Sequence, residues 1–127
     1  MTTGWDVLGL GSATIDDFYY VPHFPIPDTK LQILSSARQG GGLTATALVA
    51  AQRLGMKCAY AGVLGHNPDS QWIETDLAHE GLDVSLVTHR ENAQPIHAHI
   101  IVEQQNHTRT ILYSVNGQTG ADEEFPS

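Results

Sequence analysis

The chain has 127 residues, 14 of them acidic and 6 basic, for a formal net charge of −8 with the histidines neutral. That balance excludes the basic surface with which nucleic-acid and anionic-membrane binders normally begin. Hydrophobic residues at 41% against 16% charged ones exclude a wholly disordered chain, and the length suits one domain.

Asp6 to Gly11 (DVLGLG) is a short apolar run closed by glycine and is expected as a buried central strand. Asp17 to Val21 is aromatic and β-branched, a second strand. Pro22, Pro25 and Pro27 forbid regular structure until Asp28, and Lys30 to Ser36 alternates as a third strand. Gly40-Gly41-Gly42 then opens a helix over Thr44 to Leu54. Its apolar face is expected from Leu48, Ala51 and Leu54 with Ala47 and Ala50 beside them, and Gly55 stops it. Lys57 to Leu64 (KCAYAGVL) reads as a buried strand. Asn67-Pro68-Asp69-Ser70 is a helix start, with an N-cap, a proline in the first turn and an acid near the positive end of the dipole. Ile73, Leu77, Trp72 and Leu82 supply that helix's apolar side, and Gly81 ends it. Asp83 to Val87 is a short strand. Ile96 to Val102 and Thr110 to Val115 form a hairpin about the polar turn Gln104 to His107. From Gly117 onward the chain is polar and acidic, with Asp122-Glu123-Glu124 a solvated run. This order predicts an α/β fold: a parallel sheet with helices, and a small antiparallel sheet beside it.

A single cysteine, Cys58, forms no internal disulfide, reads as an inert core thiol and fits a reducing compartment. No apolar run is long enough to span a bilayer, and MTTGWDVLGLG lacks the basic start and long apolar stretch of a signal peptide. The expectation is a soluble cytoplasmic protein with no nucleic-acid or membrane partner.

Gly9-Leu10-Gly11-Ser12-Ala13-Thr14 begins like a dinucleotide-binding fingerprint, but Thr14 replaces the third glycine. A strand-forming sequence also follows where the fingerprint needs a helix. The alternative places Thr14, Asp16 and Asp17 in a loop beyond the C-terminal end of a central strand, where open α/β sheets bind ligands. A carboxylate there can accept from two neighbouring hydroxyls at once; the structural alternative for Asp16 is a turn or cap acid. The glycine run lets backbone approach a ligand closely, and the lack of a following GK[ST] excludes a Walker-type phosphate loop.

Several motifs recur together: Gly-Ser-x-x-x-Asp over residues 11–16, and a glycine pair before a small-residue helix ending Arg53-Leu54-Gly55. AYAGVLG over residues 59–65 and a helix ending EGLDV complete the set. In that order and spacing the chain resembles the N-terminal part of a ribokinase-like (PfkB) carbohydrate kinase, from about Asp6 to about Gly117. The resemblance implies a partial three-layer ribokinase-like sheet. It also implies a β lid from strands at about 17–36 and 96–115 that closes over a sugar and often makes a dimer contact. It makes 1–117 the substrate-binding half, and 118–127 an acidic tail or the start of the other half. By the same resemblance Thr14 and Asp16, Gly41 and Gly42, and Thr46 contact the sugar, and ATP with Mg²⁺ serves the intact enzyme. Thr14 and Thr46 stand where the family carries amides, and Gly65-His66-Asn67 where Gly-Asp-Asp is common. The run GGGLTATALVAAQRLG also resembles members that act on ketoses bearing an acidic group. Lys30 and Arg109, in or beside the lid strands, could pair with such a group or be ordinary surface charges.

The family's GAGD motif, which carries the catalytic aspartate, and its N-x-x-E motif are both absent from these 127 residues. The chain is therefore expected to be an inactive fragment of an ATP-dependent carbohydrate kinase, binding neither ATP nor Mg²⁺ on its own. Two alternatives are a polyol-binding or regulatory module without chemistry, and an assembly fragment. A homodimer through the lid or an open sheet edge is expected. His97 and His99 alternate on one strand and so share a face; they read as polar lid residues near the substrate, His97 among its contacts, rather than as metal ligands. Trp5 and Trp72 read as packing residues.

Overall fold

The structure, a computed structural model, describes residues 4–122. In chain order the elements are β1 (Val7–Gly9), β2 (Thr14–Val21), β3 (Ser35–Gly41), α1 (Leu43–Arg53) and β4 (Cys58–Tyr60). There follow β5 (Val63–Leu64), α2 (Pro68–His79), β6 (Thr88–His89), β7 (His97–Glu103) and β8 (Thr108–Ser114). β1 pairs with β4 and β5 with β6, both parallel, and a bridge from Ala59 to Asp83 extends the same parallel relation. A four-stranded sheet runs in the order β3-β2-β7-β8, built from the segments expected to form the lid. The α/β architecture is the expected one.

This sheet differs from the wholly antiparallel one expected. β3 and β8 lie antiparallel to their neighbours, but the central pair β2–β7 is parallel, with Asp17 opposite His99. Between β2 and β7 the chain passes through both helices, and a crossover of that length returns a strand in the same direction.

Asn67 caps α2 as expected: its side-chain oxygen accepts from the Ser70 N–H at 2.9 Å, and Pro68 and Asp69 fill the first turn. Ile73 and Leu77 face inward and join Ile15, Leu48, Cys58, Tyr60, Leu64 and Leu82 in one core. Burying a side chain such as Leu48 stabilises the fold by about 1.5–3 kcal/mol. The inward face of α1 is the expected one in part: Leu48 is buried and Ala51 packs against the core, but Ala45 joins them and Leu54 is 82% exposed. Leu54 lies past the last helical turn, at the C-cap, where the face has already rotated away from β1 and β4.

Other elements shift. The strand expected over Lys30 to Ser36 lies at Ser35–Gly41, because β2 sets its register by pairing Tyr20 with Ser35 and Thr14 with Gly41. Residues 22–34 carry no strand or helix. KCAYAGVL is split into β4 and β5, and all of Cys58 to Leu64 is buried. Asp83 to Val87 is no strand beyond the single bridge at Asp83; the pairing occurs at β6. β1 is less enclosed than a central strand, with Leu8 at 40% exposure. The hairpin β7–β8 forms as expected, and Glu103 organises its turn by accepting from the Asn106 N–H and the Thr108 hydroxyl. Burial opposes the Glu103 charge, yet these donors hold its carboxyl below the usual value.

The segment after Gly117 folds back. Gln118 bridges Ala93 and Gly120 bridges Val63. Asp122 is buried rather than solvated, and accepts from Arg90 Nη2 at 2.6 Å. The charge run overlooked that partner, which lies 32 residues back. Glu123 and Glu124 lie outside the described residues.

Candidate functional site

Thr14 and Asp16 sit on β2 itself, not in a loop beyond a strand: the bend at Gly11 leads through Ser12 and Ala13 into pairing with β3. Alternation then decides which side chains meet. Thr14 registers with Gly41 and Asp16 with Gln39, so these four share a face. The Thr14 hydroxyl donates to Asp16 Oδ1 at 3.1 Å. A Cβ placed on Gly41 would lie 2.3 Å from Asp16 Oδ2 and 2.6 Å from Thr14 Oγ1. The missing side chain of Gly41 is the space that the carboxylate and the hydroxyl occupy. Asp16 and Gly41 thus meet on one side of the molecule, where β3 ends and α1 begins.

Gly42 has a different reason to be glycine. Its φ is 94°, a left-handed value, and a Cβ there would meet the Ser12 carbonyl oxygen at 2.6 Å. It serves as N-cap of α1, with its carbonyl accepting from the Thr46 N–H at 2.9 Å and no side-chain cap. Chemically the corner offers one carboxylate, one hydroxyl and the start of a helix, a set that accepts from and donates to a polyol.

Thr46 is exposed and lines a neighbouring cleft of about 450 Å³ between α1, α2 and the end of β3, together with Gly40, Trp72 and Asp76. Gly40 points to that side and Gly41 to the other, by alternation. Burial first, and Glu80 after it, pushes the Asp76 carboxyl up. Lys30 is exposed in the irregular segment and Arg109 is exposed on β8; neither makes an ion pair among the described residues. Arg109 registers with Val102 on the Asp16 face but toward the hairpin turn, whereas Asp16 registers with Ala98.

His97 lies on the opposite face from Asp16. It registers with Ile15, and its Nε2 lies 2.5 Å from Asp17 Oδ2 while Nδ1 lies 3.3 Å from Asp69 Oδ2. Beside it, His99 stacks on the His97 ring at 4.4 Å and pairs through Nδ1 with the Tyr19 hydroxyl at 3.2 Å. Arg38 Nε donates to Asp17 Oδ1 at 2.7 Å and Nη2 to Oδ2 at 2.9 Å, while the guanidinium sits 5.7 Å from the Trp72 ring centre. Those Arg38 bonds hold the Asp17 carboxyl below the usual value. Trp72 is thus more than packing. Expected among the substrate contacts, His97 lies instead with Arg38 and Asp69, and no sequence motif singles out those two or Gln39. The signal for Gln39 and Arg38 was the strand register, which pairs them with Asp16 and Asp17. Cys58 is buried, and burial pushes its thiol up, as expected of an unreactive core cysteine. Tyr60, also buried, donates to the Gly11 carbonyl at 2.7 Å, and burial drives its phenol far up. Trp5 donates to Asp83 Oδ2 at 2.9 Å.

Residues 6–124 match the family model described as pfkB family carbohydrate kinase. The chain is 31% identical to the ketohexokinase of Mus musculus over 111 residues, which is 87% of this chain and 37% of that protein. It is 25% identical to a nucleoside kinase of Methanocaldococcus jannaschii, over 81% of this chain and 34% of that one. The fold superposes on the ribokinase of Arabidopsis thaliana complexed with ribose and ATP with a TM-score of 0.74. The identity there is 18%, over 88% of this chain and 36% of the other. The chain thus spans about a third of the length of the curated relatives it matches. Among the described residues, no helix is long and apolar enough to cross a membrane.

Proposed function

The chain belongs to the pfkB family of carbohydrate kinases, and from that premise we propose that it supplies the sugar-binding and lid part of an ATP-dependent kinase acting on a carbohydrate hydroxyl. The observation that carries this reading is the meeting of Asp16, Thr14 and Gly41 at the head of α1. In this role the Asp16 carboxylate accepts hydrogen bonds from two neighbouring sugar hydroxyls, and Thr14 steadies it from one side. Gly41 keeps the space open. The lid sheet that begins at the same residues covers the sugar and excludes water, so that the hydroxyl meets its phosphoryl donor rather than the solvent. Phosphoryl transfer rests on positioning and electrostatic stabilisation. In this reading the chain contributes the positioning, and residues 1–117 are its substrate-binding half.

ATP and Mg²⁺ are assigned to no residue here. The described residues hold no glycine-rich loop bearing a phosphate-binding lysine. The 127 residues contain neither GAGD nor N-x-x-E, so the chain alone is read as catalytically silent. Gly42, Lys30 and Arg109 stay as proposed substrate contacts, whereas Thr46 lines the cleft on the Gly40 side and is left out of the sugar site. His97 would reach a sugar on the Asp16 face only by a rearrangement of the sheet, and we leave it out of the sugar site. A homodimer through the lid is supported by β8, an edge strand on which Ile111, Leu112 and Tyr113 are exposed by 49%, 57% and 69%. A lone buried thiol suits the cytoplasm.

The test is calorimetric titration of the 127-residue chain with a panel of ketoses and aldopentoses, paired with a coupled ADP-release assay. Sugar binding without sugar-dependent ADP release is expected. Sugar-dependent turnover would disprove the catalytic silence. Asp16→Asn should weaken binding by about tenfold or more, because one acceptor becomes a donor where a charged hydrogen bond was made. An affinity within about twofold of wild type, too small for such a loss, would remove Asp16 from the site.

A further inference from the structure

We propose that Asp17, His97 and His99 form a transition-metal site, of the kind that holds Zn²⁺, on the face of the lid sheet away from Asp16. One oxygen of Asp17 and one ring nitrogen of each histidine lie within 4.8 Å of one another, on half-buried residues. The backbone dictates this meeting. Asp17 registers with His99 across the parallel pair β2–β7, and His97 stands two residues earlier on the same face.

The surroundings match those of metal-bound imidazoles, whose second nitrogen is usually tied to a carboxylate or another polar group that sets the tautomer and ring direction. Asp69 Oδ2 stands 3.3 Å from Nδ1 of His97, and the Tyr19 hydroxyl 3.2 Å from Nδ1 of His99. With Asp69 standing beside Nδ1 of His97, Nε2 of that ring faces Asp17 Oδ2 at 2.5 Å. An ion bound at about 2.0–2.2 Å to each ligand needs these atoms spread to roughly 3.3 Å, a small opening of side chains on adjacent strands. The fourth position is left to water.

Arg38 opposes the ion electrostatically and helps it geometrically. Its fork holds both Asp17 oxygens, and its stacking near Trp72 keeps the guanidinium on the α2 side. An ionised carboxylate has about four lone-pair sites, enough to keep Arg38 and accept a metal. Asp17 and Asp69 together outweigh Arg38 by one negative charge, which favours a cation. Two imidazoles select Zn²⁺ and its neighbours over Mg²⁺, so this is not the ion of phosphoryl transfer. Bound there, the metal would pin β2 to β7 and, through Asp69, to the first turn of α2.

The experiment uses the whole chain stripped with chelator, titrated with Zn²⁺ by calorimetry and with Co²⁺ by visible absorption. One equivalent is expected to bind, with Co²⁺ bands of a low-coordinate nitrogen–oxygen site. His99→Asn should weaken Zn²⁺ by more than about tenfold, and Asp69→Asn, acting through His97, by about tenfold. His89→Asn should change nothing; His89 belongs to a separate pair, with Glu74 at 3.1 Å. If His99→Asn fails to fold by circular dichroism, the wild-type imidazole resonances decide: Zn²⁺ must move those of His97 and His99 first. The site is refuted by three results: no saturable binding to the folded wild type, unchanged affinity in a folded His99→Asn, or first movement at His66 and His89.

Discussion

Gly41 and Gly42 are adjacent, yet substituting each by alanine should break different properties. A Cβ on Gly41 meets only side-chain ends, Asp16 Oδ2 at 2.3 Å and Thr14 Oγ1 at 2.6 Å. Ordinary contact begins at about 3.4 Å, so the carboxylate must retreat by about 1 Å. The strand backbone tolerates alanine, and stability should stay within about 1 kcal/mol. The retreat costs the ligand a charged hydrogen bond worth about 1.5–3 kcal/mol, and sugar affinity should fall by roughly ten- to a hundredfold. A Cβ on Gly42 instead meets the Ser12 carbonyl oxygen at 2.6 Å at a φ of 94°. Backbone cannot swing aside as a side chain does, and the strained dihedral alone costs about 1–3 kcal/mol. Gly42→Ala should therefore lower Tm by at least about 3 °C, at roughly 3–6 °C per kcal/mol for a domain of this size. Thermal melts and calorimetry on both variants separate the two effects. A Gly41→Ala variant that keeps full sugar affinity, or that loses as much stability as Gly42→Ala, would refute this division of roles.

Removing the α2 cap by Asn67→Ala costs the Ser70 N–H its acceptor and the Ala93 carbonyl its donor; a loss of about 1 kcal/mol is expected, read as a Tm lowered by about 3–6 °C. A pH series on Asp17→Asn should show acid-linked stability. The Asp17 carboxyl is held down in the fold, first by the Arg38 hydrogen bonds. Its stabilising effect is therefore complete above the unfolded value of about 3.9 and is lost as pH falls through the folded value below it. The Tm gap between wild type and Asp17→Asn should be constant above about pH 5 and close toward pH 2; a gap that widens in acid would reverse the sign.

Where the physics was local, the sequence was sufficient. Asn67-Pro68-Asp69-Ser70 specifies a helix start within four residues, and Gln104 to His107 between two β-branched runs specifies a hairpin. Where the physics was pairing between distant residues, it was not. Nothing in Lys30 to Ser36 says that its strand should slide to Gly41; the partner β2 decides that through Tyr20 and Thr14. The same register separated His97 from Asp16, since a parallel pairing of Asp16 with Ala98 leaves His97 beside Ile15 on the other face. One residue of slip would have exchanged the two faces. Asp122 was misread for a related reason, its neighbours in sequence being acids while its partner Arg90 is far back along the chain. The Asp16–Gly41 corner was legible as a pair of residue types, but its form was not: the carboxylate sits on a strand, in the space that glycine leaves.

The decisive observation is an amide-resolved NMR titration of the chain with a sugar that calorimetry shows to bind. Resonances of Thr14, Asp16, Gly41 and the first turn of α1 should shift together along one saturation curve, with His97 and His99 on the opposite face unmoved. Shifts confined to the His97 face or to the cleft beside Trp72, with Asp16 and Gly41 silent at saturation, would place the sugar elsewhere and end the account of this corner as the substrate site.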